Sequence, residues 1–191
     1  KNAMIVLDDA DVEQAVSVTL EGMFYNQGEA CTSTARIIVQ DGIYDTFVER
    51  FVEAASALVI GDGLHPATDI GPMVDARQRD RVLGYIQTAL AEGATLQYQG
   101  QPPADPALAD GYWVPVTILA DVHPNSTVGQ EEIFGPVALL MRCSTVDEAI
   151  EIANGTEYGL TAGICTRDEQ RAWQLAQRLE AGMVFVNNYM R

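Results

Sequence analysis

Apolar residues along this chain come in two rhythms that take turns. Short, mainly apolar runs, Met4-Ile5-Val6-Leu7, Ile37-Ile38-Val39, Val137-Ala138-Leu139-Leu140-Met141, residues 160–165 and Met183-Val184-Phe185-Val186, have the length of strands, the first of them one buried on both faces. Between them, apolar positions recur at helical spacing: Val12, Ala15, Val16, Leu20, Met23 and Phe24, then Tyr44, Phe47, Val48, Phe51, Ala54 and Ala55, then Val82, Tyr85, Ile86, Ala89 and Leu90. Further helices are predicted over residues 146–153 and 168–180.

Punctuation residues agree with this division. Asp8, Asp9 and Asp11 supply capping oxygens and negative charge at the first helix start, and Gly28 follows its end. The helix over residues 74–91 carries an Arg77, Arg79, Asp80, Arg81 cluster that is read as facing solvent. Residues 95–98 read as a strand, 100–111 as a surface loop, and 112–119 as a strand that tolerates Pro115 only near a sheet edge. Strand and helix alternate along 191 residues without an internal repeat, which predicts one α/β domain: an open, mostly parallel twisted sheet with helices on both faces. In such folds sites gather at the carboxyl ends of strands, and the loops around Cys31 and residues 129–136 are placed there.

Charge narrows the partners. Twenty-seven acidic against eleven basic side chains leave a formal charge of −16, which repels phosphate backbones and anionic lipid. Nucleic acid and membrane partners are not expected. No apolar stretch approaches the ~20 residues of a spanning helix. Three cysteines without metal-ligand spacing point to a reducing, cytoplasmic setting, and no metal site is expected.

Candidate chemistry centres on Cys31 in Tyr25-Asn26-Gln27-Gly28-Glu29-Ala30-Cys31-Thr32-Ser33-Thr34. By residue type alone a free cysteine is more often a small core hydrophobe, and Cys143 and Cys165, inside apolar runs, are read that way. Cys31 differs in its polar, turn-forming surroundings, where the backbone N–H groups of a nearby helix start could stabilise a thiolate or an oxyanion. Both histidines precede prolines in turns, which weakens a Cys-His hydrolase. The segment Gly129-Gln130-Glu131-Glu132-Ile133-Phe134-Gly135-Pro136 brackets two acids and an aromatic; it reads either as a carboxylate site or as a solvated acidic turn with Phe134 in the core. Neither G-x-G-x-x-G nor G-x-x-x-x-G-K-S/T occurs, so a dinucleotide would be held mainly elsewhere.

Taken together, Lys1-Asn2, Ile5-Val6-Leu7-Asp8-Asp9-Ala10-Asp11, Asn26-Gln27-Gly28-x-x-Cys31, Ile70-Gly71-Pro72-Met73 and Glu131-Glu132-Ile133-Phe134-Gly135-Pro136-Val137 resemble the NAD(P)-dependent aldehyde dehydrogenase superfamily. Asn154-Gly155-Thr156-Glu157-Tyr158-Gly159-Leu160-Thr161-Ala162-Gly163 and Gly182-Met183-Val184-Phe185-Val186-Asn187-Asn188 extend the resemblance along nearly the whole chain. It implies an oxidoreductase fold of the family's catalytic-domain type. Cys31 would attack the aldehyde carbonyl and carry a thiohemiacetal and then a thioester, with its backbone N–H as an oxyanion donor. It also implies NAD or NADP as cofactor, Glu132 on the nicotinamide-ribose hydroxyls, Phe134 beside the nicotinamide, and Tyr25 and Asn188 bordering the substrate funnel.

In that family a Glu-Leu-Gly-Gly stretch with the general base precedes the residue matching Lys1. The expectation is therefore a catalytic domain, residues 1–191, of a longer dimeric or tetrameric enzyme whose nucleotide-binding domain and assembly arm lie outside this sequence. The isolated segment would then show little turnover. Two other readings stand beside it: a cysteine-dependent esterase or acyl transferase, and a non-catalytic assembly module.

Overall fold

A computed structural model describes residues 1–189. The chain runs β1 (Ala3–Val6), α1 (Val12–Phe24), a 3-10 turn (Tyr25–Gly28), β2 (Arg36–Gln40), α2 (Asp41–Ser56), α3 (Ala76–Ala91), β3 (Thr95–Gln99), β4 (Thr117–Ala120), α4 (Thr127–Gln130), β5 (Val137–Cys143), α5 (Val146–Asn154), β6 (Thr161–Cys165), α6 (Glu169–Ala176) and β7 (Met183–Val186). Among the described residues the sheet has seven strands in the order β3-β4-β5-β2-β1-β6-β7. Only β3, at one edge, runs antiparallel to its neighbour. The expected mostly parallel α/β sheet is the observed one.

Side-chain alternation along the strands divides the core into two layers. Ala3, Ile5 and Leu7 pack on one side with Val82 and Ile86 of α3, Ala149 and Ile152 of α5, and Leu175 of α6. Met4 and Val6 point the other way, onto Val16 and Met23 of α1 and Phe47 and Phe51 of α2. Cys143 and Cys165 belong to these layers, as expected. No described helix is long and apolar enough to cross a membrane.

The three adjacent acids at the first helix start have separate tasks. Asp11 caps α1 by accepting from the Gln14 N–H at 3.1 Å. Asp8 accepts from the Gly42 N–H at the start of α2, and Asp9 takes the Thr166 hydroxyl ahead of α6. Near β4 the expected strand over 112–119 is shorter than the apolar run: pairing begins at Thr117, after the proline that cannot donate to a ladder, and β4 is interior to the sheet.

The expectation that the candidate loops lie at the carboxyl ends of strands is corrected. Residues 25–35 enter β2 and residues 131–136 enter β5, so both sit at the amino edge of the parallel sheet. Loop length supplies the reason. At the carboxyl edge Gln40 passes directly into Asp41, and Ser144 and Thr145 alone separate β5 from α5, which leaves little chain to build with. The longer connections all return at the amino edge.

Candidate functional site

The turn bearing Cys31 is made by an unusual backbone. Asn26, Gln27 and Gly28 follow α1 with φ of +49°, +46° and +74°, three successive residues in the left-handed region. This conformation is costly for side-chain-bearing residues, and here local bonds offset part of it: Asn26 Nδ2 donates to Glu29 O at 2.9 Å and Gln27 Nε2 to the Glu29 carboxylate at 3.1 Å. No helix begins at Cys31, contrary to the expectation; the turn leads straight into β2. Cys31 itself is exposed.

Carbonyl groups after the cysteine are gripped by side chains far away in sequence. Buried Asn2 donates through Nδ2 to Cys31 O at 2.8 Å and to Ser33 O at 3.1 Å. Its Oδ1 accepts from the Thr161 N–H at 3.2 Å. The Tyr189 hydroxyl, on a fully buried ring, donates to Thr32 O and lies 2.7 Å from Thr161 Oγ1. Because the single Tyr189 proton goes to the carbonyl, the Thr161 hydroxyl is the donor between the two.

The second loop is held from α3. Gln78 Nε2 donates to Phe134 O at 2.8 Å and Ile133 O at 3.2 Å, Arg81 donates to Glu132 O at 2.9 Å, and the Tyr85 hydroxyl donates to the Glu131 carboxylate at 2.6 Å. The arginine cluster is thus only partly a solvated face: Arg81 also lies over the Tyr85 ring and Arg79 over that of Tyr112. Phe134 is half-buried with φ of +62°. The Glu132 carboxylate is partly exposed and accepts no hydrogen bond from a described residue.

These loops touch. A Cβ on Gly28 would lie 2.3 Å from Gly135 O, so the cysteine turn and the Glu132-Phe134 segment meet backbone to backbone. Between them a niche is lined by Lys1, Gly28, Ala30, Ser33, Glu132 and Phe134, among others. The Lys1 Nζ is buried there without a hydrogen-bond partner among the described residues. Burial first, then the nearby Arg36, lowers its pKa to about 7, while Glu132 opposes the shift. Arg36 is almost wholly buried and satisfied by the carbonyls of Lys1, Ile152 and Ala153, which pins the segment before β1 to the end of α5.

Tyr25 is 61% exposed and lies in a groove of about 280 Å³ with Leu20, Phe24, Leu58 and Ile70. Asn188 is exposed, with its Oδ1 accepting from the Tyr189 N–H. The structure therefore brings Cys31, Glu132 and Phe134 to one edge and sets Tyr25 at the start of the same turn. Asn2, Thr161 and Tyr189 were not singled out in the sequence as individual participants. Their signal was faint: polar groups at the ends of apolar runs.

Burial raises the Tyr189 phenol to about 12 from 10, and the Cys143 and Cys165 thiols to about 12 from 9. For acids with raised folded pKa values, the stabilisation is complete below the unfolded value and is lost as pH rises through the folded one. Between pH 9 and 12 these three groups lower the thermal midpoint followed by circular dichroism, against the buried Lys1 amine, whose lowered pKa acts in the opposite sense from about pH 7 upward. Cys165→Ala should start lower and lose less over that interval.

The aldehyde dehydrogenase family matches residues 1–191. The chain is 43% identical over 191 residues to aldehyde dehydrogenase citD of Monascus ruber, covering 100% of this chain and 38% of that protein. It is 42% identical over 189 residues to a betaine aldehyde dehydrogenase of Rhizobium leguminosarum bv. trifolii, covering 99% of this chain and 39% of the relative. Its fold superposes with a TM-score of 0.96 on the crystal structure of betaine aldehyde dehydrogenase from Staphylococcus aureus in complex with NAD+, at 32% identity, over 100% of this chain and 38% of that one. The chain thus spans less than two fifths of the length of these relatives. From end to end, it belongs to the aldehyde dehydrogenase family.

Proposed function

We propose that residues 1–191 form the cysteine-bearing catalytic domain of a longer NAD(P)-dependent aldehyde dehydrogenase, an oxidoreductase that converts an aldehyde to a carboxylic acid. The observation that carries this reading is the backbone contact of Gly28 with Gly135, which sets an exposed Cys31 turn against the loop carrying Glu132 and Phe134.

Cys31 acts as the nucleophile. Its thiolate forms a bond to the aldehyde carbon while the carbonyl π pair moves onto oxygen, giving a thiohemiacetal whose oxyanion is met by the Cys31 backbone N–H. The residues fit a nicotinamide cofactor on one side: the Glu132 carboxylate, which accepts no hydrogen bond from a described residue, can accept both hydroxyls of a ribose diol, and Phe134 offers a ring face beside it. When bound, NAD(P)+ supplies the hydride acceptor that aldehyde oxidation requires. The oxidised carbon remains on sulfur as a thioester; attack by water breaks the C–S bond, releases the acid and restores the thiol. Tyr25 and Asn188 border the approach of the aldehyde, and the full-length protein is a cytoplasmic dimer or tetramer.

Aldehyde-dependent NADH formation by the full-length gene product is the expected result. The purified 191-residue chain, lacking a dinucleotide-binding loop of its own, should form NADH at least about a hundredfold more slowly under the same conditions. Equal rates would show that the segment needs no further domain. Absence of aldehyde-dependent NADH from the full-length protein would remove the dehydrogenase reading.

A further inference from the structure

The cysteine turn is fastened by a small polar assembly buried in the apolar layer between the sheet and α1. Tyr189 follows β7, yet its ring lies back along the sheet. A Cβ on Gly22 would come within 2.7 Å of that ring and one on Gly163 within 3.3 Å, so two glycines make its channel. The hydroxyl thereby reaches the amino edge, between Thr161 and Thr32 O. Asn2 reaches the same edge from the start of β1 and takes the carbonyls on either side, of Cys31 and Ser33. Thr161 joins the two, donating through its backbone N–H to Asn2 and through its hydroxyl to Tyr189.

Three consecutive carbonyls, of Cys31, Thr32 and Ser33, are thus drawn toward buried donors. In a trans peptide the N–H points opposite to the C=O of the same unit. Drawing Cys31 O inward therefore turns the Thr32 N–H outward, toward the side where the thiol is exposed. Ala30 O is similarly engaged by the Ser33 N–H at 3.0 Å, which turns the Cys31 N–H away from the turn's interior. Oxyanion donors work only if they are aimed before charge develops.

We propose that Asn2, Thr161 and Tyr189 are positioning residues for Cys31, acting as one grip that presets the N–H groups of the cysteine turn toward a developing oxyanion. Resting on Cys31 as the nucleophile, this assigns the grip to acyl transfer and not to the exposure of the sulfur. The two are separable by reagent. Transfer from a 4-nitrophenyl ester forms an S–C bond through a tetrahedral oxyanion and expels 4-nitrophenolate, the thiol proton passing to water. Alkylation by iodoacetamide displaces iodide at a saturated carbon and develops no oxyanion.

The test uses the full-length gene product, without cofactor, and compares wild type with Tyr189→Phe, Thr161→Val and Thr161→Ser. The first two keep ring and side-chain volume; the third keeps both Thr161 donors. Tyr189→Phe and Thr161→Val are expected to slow the nitrophenolate burst roughly tenfold, with Cys31 alkylation unchanged within about twofold and Thr161→Ser close to wild type. A burst unchanged in Tyr189→Phe and Thr161→Val overturns the proposal. So does a parallel fall in burst and alkylation, the mark of a merely structural role. A burst that survives in Cys31→Ser removes the nucleophile itself and is recognised separately.

Discussion

Serine at position 31 of the full-length gene product will abolish formation of the acyl-enzyme, lowering its rate on the order of 10⁴-fold or more. The substitution changes one atom, and the exposed turn has room for it. Its effect is chemical: a thiol provides an appreciable thiolate population near neutral pH, whereas an alcohol without a strong neighbouring base stays protonated and attacks carbonyls poorly. No described side chain donates to or accepts from Cys31 Sγ in a way that would rescue the alcohol. Intact-mass measurement after brief exposure to an activated ester reads the adduct directly. Cys143 and Cys165 serve as internal controls, since burial pushes both thiols to about 12. A serine variant acylated as fast as wild type would refute the role of Cys31.

Alanine at Gly28 should destabilise the chain by about 3 kcal/mol, combining the strain of a β-carbon in the left-handed region with overpacking. The geometry leaves no easy relief. With φ of +74° and the new carbon 2.3 Å from Gly135 O, the clash is with backbone, which no rotamer change can relieve. Gly135 cannot retreat freely either, because a Cβ there would already meet Val82 at 2.6 Å, the mark of close packing on α3. For a domain of this size such a loss lowers the thermal midpoint by roughly 6–12 °C, measurable by calorimetry. A melting point within 2 °C or so of wild type would show that the two loops separate cheaply.

Much of the fold is written in local pattern. The runs at residues 4–7, 37–39 and 137–141 became strands because a central parallel strand is buried on both faces and shows no alternation, whereas the run at 183–186 became a half-exposed strand at the sheet edge. The short helix Thr127–Gln130, capped by Ser126, is not legible in the sequence because one turn has too few positions to show a period. Arg81 is exposed, as its place in a charged cluster suggests, but sequence gives no sign that a carbonyl of Glu132 lies within its reach. Site legibility followed the same division. Cys31 and Glu132 stood out through motif resemblance, while the edge on which they lie depends on relative loop lengths and was misplaced. Asn2, Thr161 and Tyr189 are separated by up to 187 positions, and their meeting is a property of closed topology alone.

That separation ties chemistry to the timetable of folding. Of the three, Asn2 is synthesised first and Tyr189 last, so the cysteine turn stays unclasped until the intervening sheet has assembled and the entropy of closing that long loop has been met. A nascent or partly assembled chain would carry the sulfur without its aligned amides, which makes ester turnover a clock for the final stage of maturation.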